Sequence, residues 1–398
     1  MRQLNVMRSV LVTTALALAS VVTAGSLVTR PATGATRHVD FGIFRPLGRS
    51  ATASLPTEAV DMQAVRNRQD ALGHHIDIVH SYGLFAVPPS LADLEVVAAN
   101  GSDPMLSELT FNPTPTYASI AAGALDGAVA GWAGVLSAFA AVHPDRKVHL
   151  RLDFEMNGPY NRWSPCHKNP GQPQLDSTPA QFVAAWRHLH DRFTALATPA
   201  AVQATRWVWS IVDVNPAKDS DPCRLDIASF YPGDAYVDEL GMDVYDELAT
   251  DGSFQATAQP SYDALASLAG SSGTLPITIN EMATGHAYGA TAPPEPYRAN
   301  WIASIGPALV NTFPRISAIV WFDVVKERLY AIDGCNDPNL PTTDSVPPPG
   351  ALTDPNTPKL PQNWRTWGGQ PFGYVCPGPD QAAVAATQQL LAQPPFSP

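Results

Sequence analysis

Two glutamates stand at the ends of runs that read as strands. Glu155 follows His-Leu-Arg-Leu-Asp-Phe and Glu281 follows Leu-Pro-Ile-Thr-Ile-Asn. Charged side chains are seldom placed in a core for packing, because desolvating a carboxylate is costly unless it is paired or used. Two carboxylates brought to one mouth can cleave a glycosidic bond. One protonates the leaving oxygen and the other attacks the anomeric carbon, and their separation sets the stereochemical course. Read as a strand, period-two alternation puts Arg151, Asp153 and Glu155 on one face and Leu152 and Phe154 on the other. Arg151 and Asp153 then read as a buried ion pair, with Arg151 also able to reach a charged Glu281 across a lumen.

Sugars are held by aromatic faces and by planar polar groups on their hydroxyls. The candidates are Trp163, Trp321 and Trp209 at or just after strand ends, His80 near the end of another strand, and Asn157 in the loop after Glu155. Trp132, Trp186 and Trp301 fall in helical stretches and are expected in the core. Other chemistries lack their residues. There is no H-E-x-x-H, G-x-S-x-G, P-loop or G-x-G-x-x-G. His188 and His190, two apart on a helix, face different ways, and Asp219, Asp221 and Asp226 read as a solvated loop. No metal and no cofactor is expected.

The elements that must position the two glutamates alternate. Short β-branched runs at His38–Phe44, His75–Tyr82, Asp103–Thr110, Lys147–Phe154, Arg206–Val212, Tyr236–Val244, Leu275–Glu281 and Ile316–Asp323 are separated by Ala-rich segments. Among those segments, Ala118–Val142, Thr178–Ala197 and Pro296–Val310 have helical apolar spacing. Eight such units predict an α/β fold, a (β/α)8 TIM barrel in a single domain, with its chemistry at the C-terminal strand ends. The tail from Asp380 to Leu391 reads as a closing helix.

Composition sets the surroundings. With 24 Lys and Arg against 36 Asp and Glu in 398 residues, the net charge of −12 excludes a general nucleic-acid binder. Arg2 and Arg8 precede an uncharged run from Val10 to Val22 and the small residues Val22-Thr23-Ala24. This predicts a signal peptide over 1–24, a secreted product and no stable membrane association after cleavage. A linker over 25–37, a barrel over 38–330 and a Pro/Gly-rich extension over 331–398 follow. Four cysteines in a secreted chain predict two disulfides with three possible pairings. Cys166 with Cys223 and Cys335 with Cys376 is the expected set, since each pair staples a Pro-rich excursion. A monomer is expected.

The segment Arg151-x-x-x-Glu155-Met-Asn157-Gly158-x-Tyr160-x-x-Trp163 resembles the stretch R-x-x-H-E-M-N-G-x-W-x-x-W of glycoside hydrolase family 26, whose Glu is the acid/base. Tyr231-Pro-Gly-Asp-x-Tyr236-Val-Asp238-x-x-Gly241-x-Asp243-Val-Tyr245 is similar to the family's entry into strand six, where the Tyr bonds the nucleophile. Pro276-Ile-x-Ile-x-Glu281 and Val320-Trp321-Phe322-Asp323 resemble its strands seven and eight. The resemblance covers Asp40 to about Lys326. It implies a retaining glycosidase acting on a β-linked polysaccharide, with Glu155 as acid/base, Glu281 as nucleophile, and Tyr245 and Arg151 orienting the latter. Phe154 stands where the family has His, and Tyr160 where it has Trp. The lost imidazole shifts the expected substrate from β-mannan toward mixed-linkage β-glucan or β-xylan. A non-catalytic carbohydrate-binding barrel is the rival reading.

Overall fold

Each apolar run becomes a strand whose hydrogen bonds are completed by the next run in the sequence. The computed structural model describes residues 37–44, 59–110, 115–168, 177–246, 250–285, 297–323, 332 and 380–397, which fall within one compact unit, Thr36–Pro398. The strands are β1 (Asp40–Phe44), β2 (Ile78–Leu84), β3 (Asp103–Leu109), β4 (Val148–Leu152), β5 (Thr205–Val212), β6 (Glu239–Asp246), β7 (Ile277–Thr284) and β8 (Ile316–Phe322). They pair in sequence order into a closed barrel, with β1 parallel to both β2 and β8. Closure leaves no sheet edge exposed, so the expected (β/α)8 barrel is the observed fold.

The helices cover the strands from outside. They are α1 (Ala59–Leu72), α2 (Leu91–Ala99), α3 (Tyr117–Ala121), α4 (Asp126–Val142), α5 (Pro179–Leu196), α6 (Pro199–Ala204), α7 (Pro222–Leu225), α8 (Phe254–Ala266), α9 (Tyr297–Ala303), α10 (Ile305–Asn311) and α11 (Gln381–Leu391). Helix α5 starts where its sequence says it should. Thr178 accepts from the Gln181 amide while the Gln181 side chain returns to the Thr178 amide, and Pro179 occupies the first turn. The expected single helix over 118–142 is two, because the chain turns at Gly123 with φ of +96°.

The core has two parts. The larger lies between strands and helices, where Trp132 stacks on Phe85 and donates to its carbonyl at 2.8 Å, while Trp186 and Trp301 are also buried. The smaller plugs the lumen with Ile78, Met105, Ala318 and Val320. Level with Met105 on β4, His149 meets Glu239 at 3.0 Å in a buried pair.

Trp209 and Trp321 belong to the outer layer, which corrects their expected place at the sugar. Trp209 is fully buried, donates to the Phe230 carbonyl at 3.1 Å and packs edge-on to Tyr231. Trp321 is 1% exposed and meets Trp301 of α9 edge-on. On β8 the lumen is filled instead by Ala318 and Val320, the residues of the other parity. The expected signal peptide, most of the expected linker, the residues 333–379 and with them Cys335 and Cys376 lie outside the described residues.

Candidate active site

Strand β4 ends at Leu152, two residues before the sequence suggests. Leu150 and Leu152 face the outer core, so Arg151 faces the lumen. Alternation then stops. Asp153 has φ of 41° and Glu155 φ of 53°, a left-handed conformation that side chains rarely adopt. The kink turns Phe154 inward: its ring lies 4.6 Å from the Arg151 guanidinium and edge-on to Tyr82 and Trp163. The expected Arg151–Asp153 ion pair is therefore absent. The Asp153 carboxylate accepts from the Thr110 amide at 2.8 Å and the Thr110 hydroxyl at 2.5 Å.

Arg151 is fully buried and serves other acids. It donates to Glu281 Oε1 at 2.7 Å, to the Ser107 hydroxyl at 3.1 Å and to Asp243. Glu281 also accepts at Oε2 from the Tyr245 hydroxyl at 2.8 Å, and Tyr82 hydrogen-bonds it too. His80 sits close by with Nε2 2.7 Å from the Ser107 hydroxyl, its ring packed between Phe44 and Tyr82. Burial and the Arg151 charge depress the His80 imidazole to about 3, so it is neutral.

Glu155 occupies a different environment. Its Oε2 accepts from Asn161 Nδ2 at 3.0 Å and from the Tyr160 hydroxyl at 3.1 Å, and Asn161 also holds the Glu155 carbonyl. No cation pairs with it among the bonds of the described residues. Burial first, and the Glu281 charge second, raise its carboxyl from 4.5 to about 7, against the opposing pull of Asn161, Arg151 and Tyr160. Burial alone would raise Glu281 as well, but the Arg151 charge and the bonds from Arg151 and Tyr82 hold it below the ordinary glutamate range. Each carboxylate feels the other, and the two are driven in opposite directions.

The remaining expectations divide. Arg151, Tyr245, Glu155, Glu281 and His80 gather in one lumen mouth. Trp163 is close but 5% exposed, with Nε1 donating to the Phe154 carbonyl at 2.7 Å, so it supports the Phe154 wall. Asn157 departs from its expected sugar-binding role. It is fully buried, with Oδ1 accepting from the Val212 amide at 2.9 Å and Nδ2 donating to the Val212 and Arg224 carbonyls. It latches the loop after β4 to the loop after β5, and Cys166–Cys223 ties the same two loops covalently.

Sequence reasoning gave no site role to Asn161, Asp243 or Ser107, and treated Phe154 only as a departure from the family pattern. Asp243 and Ser107 carried a usable signal, being polar residues in apolar strands. Asn161, an amide in a polar loop, carried none. Within the described residues, His38, Asp40 and Asp77 are spaced closely enough to share a cation. Asp40 begins β1, so this group lies at the barrel end opposite the glutamates and has no part in their chemistry.

The family model described as "Glycosyl hydrolase family 26" matches residues 120–313, a span containing Glu155, Tyr245 and Glu281. Solved structures similar to the chain include a β-mannanase of that family from Bacteroides ovatus, at 15% identity over 91% of this chain and 90% of that one, with a TM-score of 0.50. Others are the YdhT protein of Bacillus subtilis, at 18% identity over 73% and 82% of the chains and a TM-score of 0.48, and a Bacillus subtilis mannanase, at 18% over 72% and 80% and 0.47. At 15% identity, the likeness to the Bacteroides ovatus structure speaks to the fold alone. No curated protein matches the sequence.

Proposed function

We propose that this chain, a member of glycosyl hydrolase family 26 and so an O-glycosyl hydrolase, cleaves a β-linked polysaccharide by retaining double displacement. One observation carries the proposal: two carboxylates at one mouth have environments that hold Glu281 ionised and raise Glu155 to about 7, so that it can carry a proton where Glu281 does not. In the first step Glu281 attacks the anomeric carbon, the glycosidic C–O bond breaks, and Glu155 gives its proton to the departing oxygen. The product is a glycosyl ester of Glu281 and an ionised Glu155. In the second step Glu155 takes a proton from water as that water attacks the anomeric carbon and the ester bond breaks, which restores both groups.

The rest of the site serves these two steps. Arg151, Tyr245 and Tyr82 hold the Glu281 anion and orient its oxygens. Asn161 and Tyr160 hold Glu155 Oε2 and favour the anion that forms after proton transfer. Phe154, in van der Waals reach of the Arg151 guanidinium, stands where the family has His, so the wall beside the glutamates lacks that imidazole, and His80 is neutral. This favours β-glucan or β-xylan over β-mannan as substrate. Export as a monomer, with 1–24 removed and 331–398 as an extension to the barrel, completes the reading, and the Cys166–Cys223 disulfide suits an oxidising compartment.

Release of reducing ends from mannan, mixed-linkage β-glucan and xylan tests activity and substrate together. NMR of the first-formed anomer tests retention, and trapping with a 2-deoxy-2-fluoro glycoside of the sugar released should label Glu281. No release from the panel would favour the carbohydrate-binding barrel. An inverted product would remove the double displacement.

A further inference from the structure

We infer that Asp153 is a positioning residue for Glu155: its carboxylate, gripped by Thr110, clamps the left-handed turn that aims Glu155 into the barrel mouth. The inference rests on the acid/base reading of Glu155 given above. Among the described residues, Asp153 and Glu155 are the non-glycine positions with positive φ, and they flank one residue at the end of β4. Glutamate has no local reason to enter that conformation, so something outside it must hold the turn.

The holding contacts are specific. Where β4 leaves the sheet, the Thr110 amide loses a neighbouring strand carbonyl. Asp153 Oδ1 takes that bond at 2.8 Å, and Oδ2 takes the Thr110 hydroxyl at 2.5 Å. The Asp153 amide still donates to the Glu108 carbonyl of β3 at 2.9 Å, while the Glu155 amide crosses to the Ser210 carbonyl of β5 at 3.0 Å. The turn is thus pinned to β3 at one end and to β5 at the other. Between the pins, the Phe154 carbonyl accepts from Trp163, and the Trp163 carbonyl accepts from the Tyr117 hydroxyl. Asp153 is 2% exposed and contacts neither Arg151 nor Glu281 by any bond described above. Its one evident product is the placement of Glu155.

A positioning role makes a distinctive demand. Misplacing the acid by a fraction of an ångström harms substrates whose leaving group needs a proton and spares those whose leaving group does not. The comparison is kcat/KM on the hydrolysed polysaccharide against kcat/KM on its 2,4-dinitrophenyl glycoside, because kcat/KM reports only the step that forms the glycosyl-enzyme. Asp153→Ala should lose about 10²-fold on the polysaccharide and less than about threefold on the dinitrophenyl glycoside. Asp153→Asn keeps an acceptor for the Thr110 amide and an amide for its hydroxyl, and should recover most of the loss. Thr110→Val, which removes one of the two grips, should show the same selectivity in smaller measure.

Equal losses on both substrates, or no loss on either, would overturn the inference. If Asp153→Ala does not fold, Thr110→Val decides alone, and an unselective Thr110→Val would also sink it. Glu155→Ala serves as the separate control. A Glu155→Ala enzyme without this selectivity removes the acid/base reading, and the positioning role falls with it. Selectivity in Glu155→Ala but not in the Asp153 and Thr110 variants removes the positioning role alone.

Discussion

Replacing Glu281 by Gln should lower the pH at which Glu155 loses its proton. Glu155 moves from 4.5 to about 7, a preference for the neutral form of about 3 kcal/mol at 1.36 kcal/mol per pH unit. Burial is the larger cause and the Glu281 charge the next. The substitution removes the second cause, keeps the shape and leaves the first, so the midpoint should fall by about one pH unit and remain above 4.5. The sign follows directly: without a neighbouring anion, ionising Glu155 costs less. The variant should be inactive, so the assay is NMR titration of 13C-labelled glutamate carboxyls, with the wild-type alkaline limb of kcat/KM as reference. The two groups share their protons, and the limb belongs to the pair. Asn161→Ala should act the other way, raising the limb above 7, because the Asn161 bond to Oε2 favours the anion. A Glu155 midpoint near 4.5 in the wild type, or a rise in Glu281→Gln, would refute the electrostatic account.

Tyr245→Phe removes the donor 2.8 Å from Glu281 Oε2. A hydrogen bond to a charged group contributes about 1.5 to 3 kcal/mol, so kcat/KM should fall about 10- to 100-fold, with protein stability little changed in a thermal melt. Replacing Cys166 and Cys223 together by Ser opens a link across a sequence separation of 57. It should cost about 4 kcal/mol in the chain-entropy treatment, read from the urea midpoint, and unchanged stability would show that the unfolded chain is constrained by other means. His149 gives a stability dependence on pH. Burial depresses it, but Glu239, Asp103 and Asp40 outweigh burial and raise it above 6.5. Its contribution is then complete below 6.5 and lost as pH rises through the higher folded value. His149→Gln should remove that part of the stability curve, and an unchanged curve would deny the pair its role.

The barrel was legible because eight apolar runs separated by amphipathic stretches leave few other ways to bury their faces. Helix ends were legible where capping residues act locally, as at Thr178 and Asp380. The choice of face was harder. On β5, Trp207 and Trp209 clearly share a side, yet either the lumen or the helix layer accepts an indole. Ser210 was the clue to the lumen side, since it lies opposite Gly241 and receives the Asn280 amide at 3.2 Å. A side chain at 241 would collide with that crossing, so the glycine marks where the lumen is crowded. Asn157 misled for a different reason. A polar residue two positions from Glu155 can serve the sugar or the backbone, and only the approach of the β5 loop decides.

Both glutamates stand immediately beyond a break in alternation. On β4 the break is the left-handed pair Asp153 and Glu155. On β7 it is an extra residue: Met242 faces Ile279, but Asp243 faces Glu281, so Asn280 is a bulge. The bulge lets consecutive residues both serve the lumen, Asn280 reaching Ser210 and Glu281 reaching Arg151. A regular strand presents every second residue at fixed depth, which suits packing layers and gives no freedom to aim one carboxylate against another. Irregular backbone supplies that freedom at an energetic cost that the barrel's other contacts must offset. Period-two reading therefore led to the two glutamates proposed as catalytic and failed on the orientation of the residues just before them. That failure falls at the two places where the chain leaves regular geometry, and it is there that Phe154, Asp153 and Asn280 acquire roles that no strand pattern assigns.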